Sequence, residues 1–133
     1  MKLQKLRKTI FLQILILPLL LSLSGCIYLV VGGIGALGGY VVSPDTVEGI
    51  TENEREIVWD AAVEISAIMG TIQERQEDSG IIIVDVGGVD VTITVVALGQ
   101  SAVKLRIKAR KAFLPKISTA QEVFVKIMSE VNE

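Results

Sequence analysis

The chain has 133 residues, so once a leader and a membrane-proximal stretch are set aside roughly 90 are left to fold, enough for one small domain. Half of the residues are hydrophobic and only 5% aromatic, with one cysteine and no histidine, which excludes the usual zinc sites, Ser/His/Asp and Cys/His nucleophiles and any internal disulfide. The net charge of −2 hides 9 basic and 15 acidic side chains beyond Cys26, a balance of −6 that argues against nucleic acid as a partner.

Lys2, Lys5, Arg7 and Lys8 open the chain with no acidic residue among them, and residues 10 to 23 are apolar apart from Gln13 and Ser22. Leu23-Ser24-Gly25-Cys26 follows. These are the three regions of an export signal, and the last four residues match the lipobox of bacterial lipoprotein precursors. Small residues at Ser24 and Gly25 admit a peptidase close to the backbone, and the Cys26 thiol is the nucleophile that takes the lipid. An apolar run of 14 residues is short for a membrane span, which needs about 20. The expectation is therefore a signal peptide over 1–25 and a membrane anchor through lipid on Cys26. Ile27 stands where an aspartate would resemble an inner-membrane retention signal, so a two-membrane cell is expected to sort the chain to its outer membrane, facing the periplasm.

From Ile27 to Val42 there is no charge, and glycine recurs at Gly32, Gly33, Gly35, Gly38 and Gly39. An apolar tether over 26–43 is expected, merging into a first strand near Tyr40. The Gly35/Gly39 spacing also suits close helix approach in lipid, and hence self-association.

The folding domain is expected over 44–133. Beyond Pro44 a short extended segment, Thr46 to Ile50, leads to Thr51, which with Glu54 reads as a capping box for a helix running to Met69 and stopped by Gly70. Val58, Ala61, Ala62, Ile65 and Met69 share one face, while Trp59 and Val63 point elsewhere. The period then changes to two: Thr71 to Gln76, Ile81 to Val86, Val89 to Leu98 and Ala102 to Lys111 read as strands of an antiparallel meander. A three-residue loop over Gly99, Gln100 and Ser101 sets Leu98 opposite Ala102, Val95 opposite Leu105, Ile93 opposite Ile107 and Asp90 opposite Arg110. A one-residue slip would put core Val95 against Lys104. Pro115 breaks the chain, Ser118 or Thr119 caps a last helix, and Val123, Phe124, Ile127, Met128 and Val131 form its apolar side. The fold class expected is α+β: a meander sheet of three to four strands with two helices packed on one face.

The lipobox, the glycine-rich apolar segment, a helix with a central tryptophan, a Ser-Gly-Ile-Ile strand opening, a hairpin and a closing helix together resemble a family of small bacterial lipoproteins to which no activity is attached. Lys111-Ala112-Phe113-Leu114-Pro115 departs from the glycine-rich link that the resemblance implies before the last helix.

No catalytic set, metal site or cofactor is expected, and the partners expected are the membrane, through Cys26, and an envelope protein. Lys104, Arg106, Lys108 and Arg110 fall together on the wet face of the fourth long strand. They serve either to solubilise an edge strand or to contact an anionic surface. The function expected is that of a noncatalytic envelope binding or structural module. The rivals are a small ligand-binding or enzymatic domain with a pocket between helices and sheet, and a membrane-active protein acting through the glycine-rich segment.

Overall fold

A computed structural model describes residues 1–22 and 38–133 and divides the chain into two units, Met1–Gly32 and Gly33–Glu133. In the first, α1 (Lys2–Ser22) is a helix with Pro18 inside it. No helix among the described residues is long and apolar enough to cross a membrane.

The second unit runs β1 (Gly39–Ser43), β2 (Thr46–Thr51), α2 (Arg55–Met69), β3 (Thr71–Gln76), β4 (Ile81–Val86), β5 (Val89–Leu98), β6 (Ala102–Lys111), β7 (Leu114–Pro115) and α3 (Ile117–Val131). One antiparallel sheet takes all seven strands in the order β1-β2-β6-β5-β4-β3, with β7 also paired to β6. The sheet of three to four strands expected from alternation is thus corrected to seven, and the two helices to three with α1. Strands β3 to β6 are the hairpin-linked meander, and their bounds are those that the period of two sets. The additional strands are β1, β2 and β7. β1 falls where a first strand near Tyr40 is expected and β2 on the expected extended segment Thr46 to Ile50, whereas β7, at Pro115, reads from the pattern as a chain break. β1 also lies within the expected tether, so the sheet begins at Gly39 instead of after residue 43.

The register across β5 and β6 is the expected one, with Leu98 opposite Ala102, Val95 opposite Leu105, Ile93 opposite Ile107 and Asp90 opposite Arg110. It keeps Val91, Ile93, Val95, Val103, Leu105, Ile107 and Ala109 on one buried face. Helices α2 and α3 lie against each other and cover that face, α2 toward β5, β4 and β3 and α3 toward β6 and β2. Val58, Ala61, Ala62 and Ile65 of α2 meet Val123, Phe124, Ile127 and Met128 of α3 in one core with the sheet. Trp59 is part of this core at 2% exposure, placed there by its own helix one position beyond the main stripe.

Neither helix starts where side-chain capping suggests. Glu54 is the N-cap of α2 with no capping side-chain bond. Thr51 ends β2 instead, and its hydroxyl accepts from Asn53. In α3 the N-cap is Lys116, so Ser118 and Thr119 lie inside the helix. Strand pairing to β6 holds Thr51 in the sheet, opposite Val103, and so removes it from the cap.

A close approach between sheet and helix occurs at Gly49 of β2. A Cβ added there would lie 2.5 Å from Cζ and 2.7 Å from Cε2 of the fully buried Phe124. Glycine lets the Phe124 ring lie on the β2 backbone, which is how α3 reaches the far side of the sheet. Gly49→Ala should therefore destabilise the domain by about 1–3 kcal/mol in urea titrations, as overpacking does. Phe124→Leu in the same chain should restore part of that loss. A double variant no more stable than the sum of the singles would show that the contact is not the cause.

Candidate functional site

The outer face of the sheet carries the polar network. Strand alternation in β6 turns Lys104, Arg106, Lys108 and Arg110 away from the helices, and β2 presents Ile50, Glu48 and Thr46 opposite the first three of them. Tyr40 of β1 stands opposite Glu48 in turn. Arg106 donates from both Nε and Nη2 to Glu48 Oε1, and the Tyr40 hydroxyl donates to Glu48 Oε2 at 3.2 Å. Glu48 is only 4% exposed, although the arginine above it remains half-open to solvent.

The second cluster is built on the turn between β1 and β2. Asp45 Oδ1 accepts from Ser43 Oγ and from Thr46 Oγ1, both at 2.7 Å, and Oδ2 accepts from Arg110 Nε at 2.5 Å. Its backbone carbonyl accepts from the Ala109 N–H at 2.9 Å, so one residue ties the turn to β6 through side chain and main chain together.

These contacts set the charge states. The Ser43 and Thr46 hydroxyls, with Arg110 behind them, hold the Asp45 carboxyl well below the usual carboxylate range against the cost of its burial. For Glu48, burial opposes ionisation, yet the Arg106 guanidinium and the Tyr40 hydroxyl prevail and leave its carboxyl below its ordinary value. The hydrogen bond to Glu48 in turn raises the Tyr40 phenol.

The expected basic stripe therefore exists as a row of positions but not as four free cations. Arg106 and Arg110 are each paired with a buried carboxylate, and Lys104 is close enough to Glu48 to favour its ionised form. Among the described residues Lys108 has no ion pair, and it lies between Thr46 of β2 and Thr92 of β5. Nor does the stripe mark an edge. β6 is flanked by β5 on one side and by β2 and β7 on the other, so protection of an edge strand is not its role.

The residues missed from sequence are Ser43, Asp45, Thr46, Glu48 and Tyr40. Thr46 and Glu48 alternate with the buried Val47, which is a strand signal of three residues only. Pro44 and Asp45 read as a simple break.

Leu23, Ser24, Gly25 and Cys26 lie outside the described residues. Of the Gly35/Gly39 pair only Gly39 is described, and it is a strand residue opposite Gly49, so a helix face through that pair is corrected. Beneath α2, Trp59 has its indole ring under two guanidiniums, Arg55 at 5.9 Å and Arg75 at 6.0 Å from the ring centre. Arg55 Nη2 also donates to the Glu77 carbonyl at 2.5 Å. Among the described residues no group of three acidic, histidine or cysteine side chains is placed to hold a metal ion.

No protein-family model matches the chain, and no curated protein matches it.

Asp45 and Glu48 have folded-state carboxyls depressed below their unfolded values, so their stabilisation is complete above about pH 5 and is lost as the pH falls further. Wild-type stability should drop between pH 5 and pH 2.5, and Asp45→Asn with Glu48→Gln should flatten that limb. At neutral pH Asp45→Ala should cost about 1–3 kcal/mol by leaving the Ser43 and Thr46 hydroxyls without their acceptor. An acid limb as steep in the double variant as in wild type would place the acid sensitivity elsewhere.

Proposed function

We propose that the chain is the precursor of a bacterial lipoprotein, cut before Cys26, and that its folded unit is a noncatalytic binding or structural module of the cell envelope. The observation that carries this reading is the place of the single cysteine: it follows Leu23-Ser24-Gly25 at the end of a 14-residue apolar run preceded by four basic residues. Charge ahead of the run orients it in the translocation machinery, and small residues ahead of the thiol admit a peptidase. Lipid on Cys26 anchors the mature chain, with Ile27 in the next position assigning it to the outer membrane, facing the periplasm, where there are two membranes. The resemblance to small lipoproteins of the same layout points the same way.

What favours a binding or structural module over a pocket enzyme is the space between helices and sheet. It is filled by aliphatic side chains and two aromatic rings, most of them without measurable exposure. The polar groups that do converge, around Asp45 and Glu48, are on the opposite face. They satisfy one another and so serve to position strands.

Cys26→Ser should abolish incorporation of labelled palmitate and leave the precursor uncut, with residues 1–25 still present by mass. Unchanged labelling in that variant would end the lipoprotein reading.

A further inference from the structure

Among residues 39–133 the most exposed large apolar side chain is Phe113, at 91%, with Leu114 beside it at 64%. Neither is a loose end. The turn that carries them is closed by β7 pairing back on β6, Arg110 opposite Pro115 and Lys111 opposite Leu114, and by the Lys116 N–H donating to the Ala109 carbonyl at 3.0 Å. Ala112 takes a left-handed backbone conformation, φ 54, that residues with a side chain rarely adopt. It is the one described residue other than glycine to do so. A strained, ladder-closed turn thus holds a phenylalanine and a leucine out in water.

Along the chain through this tip the charge is basic, and a carboxylate across the sheet, the exposed Asp90 of β5, stands opposite Arg110 and not the two lysines. Lys111 and Lys116 bracket the sequence Ala-Phe-Leu-Pro, with no acidic residue between Lys108 and Ala120. Neither lysine has an ion pair among the described residues. Val42 and Pro44 are exposed at the same end of the sheet, because Ala109 bonds both Asp45 of that turn and Lys116. Exposed acidic residues also lie on the helices, at Glu56, Asp60, Glu64 and Glu122, and on the β3 strand and its turn, at Glu74, Glu77 and Asp78.

We propose that the turn Lys111–Lys116 is a membrane-contact tip, which seats Phe113 and Leu114 at the headgroup boundary of an anionic bilayer with Lys111 and Lys116 against the lipid phosphates. Phe113 protrudes from a turn instead of lining a groove, which is the form of a wedge. The lysine stems are long enough to follow the ring while their ammonium groups stay with the phosphates.

For its reach, though not for its chemistry, this inference rests on the lipid-anchor reading. Cys26 and Gly38 are twelve residues apart, a tether of at most about 40 Å. Gly39 lies opposite Gly49 and Gly49 opposite Leu105, and the seven residues from Leu105 to Ala112 cover about 25 Å of strand. The tether is longer than the distance from its root to the tip, so the tip reaches the membrane that anchors the chain.

The test uses the full chain, purified from membranes and reconstituted in vesicles of phosphatidylcholine alone or with 30% phosphatidylglycerol, the acyl chains brominated in parallel samples. Phe113→Trp supplies a probe in open solvent, and subtracting the wild-type signal removes Trp59, the chain's single native tryptophan. Leu114→Trp gives an independent second probe. The expected result is blue-shifted emission quenched by bromine in the anionic vesicles. Lys111→Gln and Lys116→Gln should each lower the ratio of seated to free tip about fivefold. Solvent-exposed, unquenched emission in both compositions overturns the proposal. So does quenching that is equal in both and indifferent to the lysines, and so does burial of the probe that requires added membrane proteins. The mass of the Cys26 peptide from the same sample reads the lipid anchor separately, so failure of the tip and failure of the anchor are told apart.

Discussion

The rest of the second unit depends on the pairing of β2 with β6. The meander from β3 to β6 forms from neighbours in sequence, whereas Glu48 and Arg106 are 58 residues apart and Asp45 and Arg110 are 65. Closing such distances costs chain entropy that local hairpins do not pay. Two different contacts offset it on the two faces of the same strand. Inside, Gly49 brings the β2 backbone against Phe124, and outside, two carboxylates meet two arginines of β6. Without this pairing β1 would have no partner in the sheet and α3 would cover only one side of its apolar stripe.

The ion pairs are asymmetric in burial, and that decides what they do. Glu48 and Asp45 are nearly closed to water while their arginines are about half exposed. Each carboxylate loses most of its hydration, and each guanidinium keeps much of its own. The burial cost therefore falls mainly on the acids, which recover it through several hydrogen bonds apiece. Such pairs specify where β2 sits more than they add to stability. A slip of one residue along β6 would set the buried Glu48 against an inward aliphatic position, Leu105 or Ile107.

The long strands and their register were legible because alternation along Val89–Leu98 and Ala102–Lys111 is nearly unbroken and a wrong loop length would have turned Val95 onto Lys104. The apolar stripes of α2 and α3 were legible for a similar reason: their period leaves one covered face. For β2 the extended segment was legible but not its place in the sheet, since it alternates for only a few residues and its outward Glu48 is buried by a partner 58 residues away that no local pattern reveals. A strand near Tyr40 was legible, but the pairing of β1 with β2 was concealed by the unalternating apolar segment it ends. Trp59 was placed off the stripe by helical spacing alone, yet it belongs to the buried core, with two arginines over its ring. The cap at Thr51 failed because strand pairing outweighed a local hydroxyl. In the basic row, sequence gave the facing of each residue but not its neighbour, so two arginines held by buried acids looked the same as free ones.

The two edges of the sheet differ in a way that bears on orientation. The β3 edge carries Glu74, Arg75 and Gln76 and a bulge between Ile72 and Glu74, features that discourage pairing with another chain. The β1 edge, which follows the glycine-rich segment in the sequence, is uncharged, with Tyr40, Val41 and Val42 each about half exposed. Acidic side chains crowd the helices, closely enough that Glu64 of α2 raises the Glu130 carboxyl of α3. If the chain is anchored through Cys26 as proposed, an anionic surface would repel that helix layer and attract the end bearing Lys111 and Lys116, while the anchored segment would hold the β1 side nearby. These constraints act in the same sense. On the lipid-anchor proposal they would turn the helices away from the bilayer and bring the β1 side and the Phe113 turn toward it, so the proposed orientation rests on where the charges and the uncharged edge lie, with no contact needed from the apolar core.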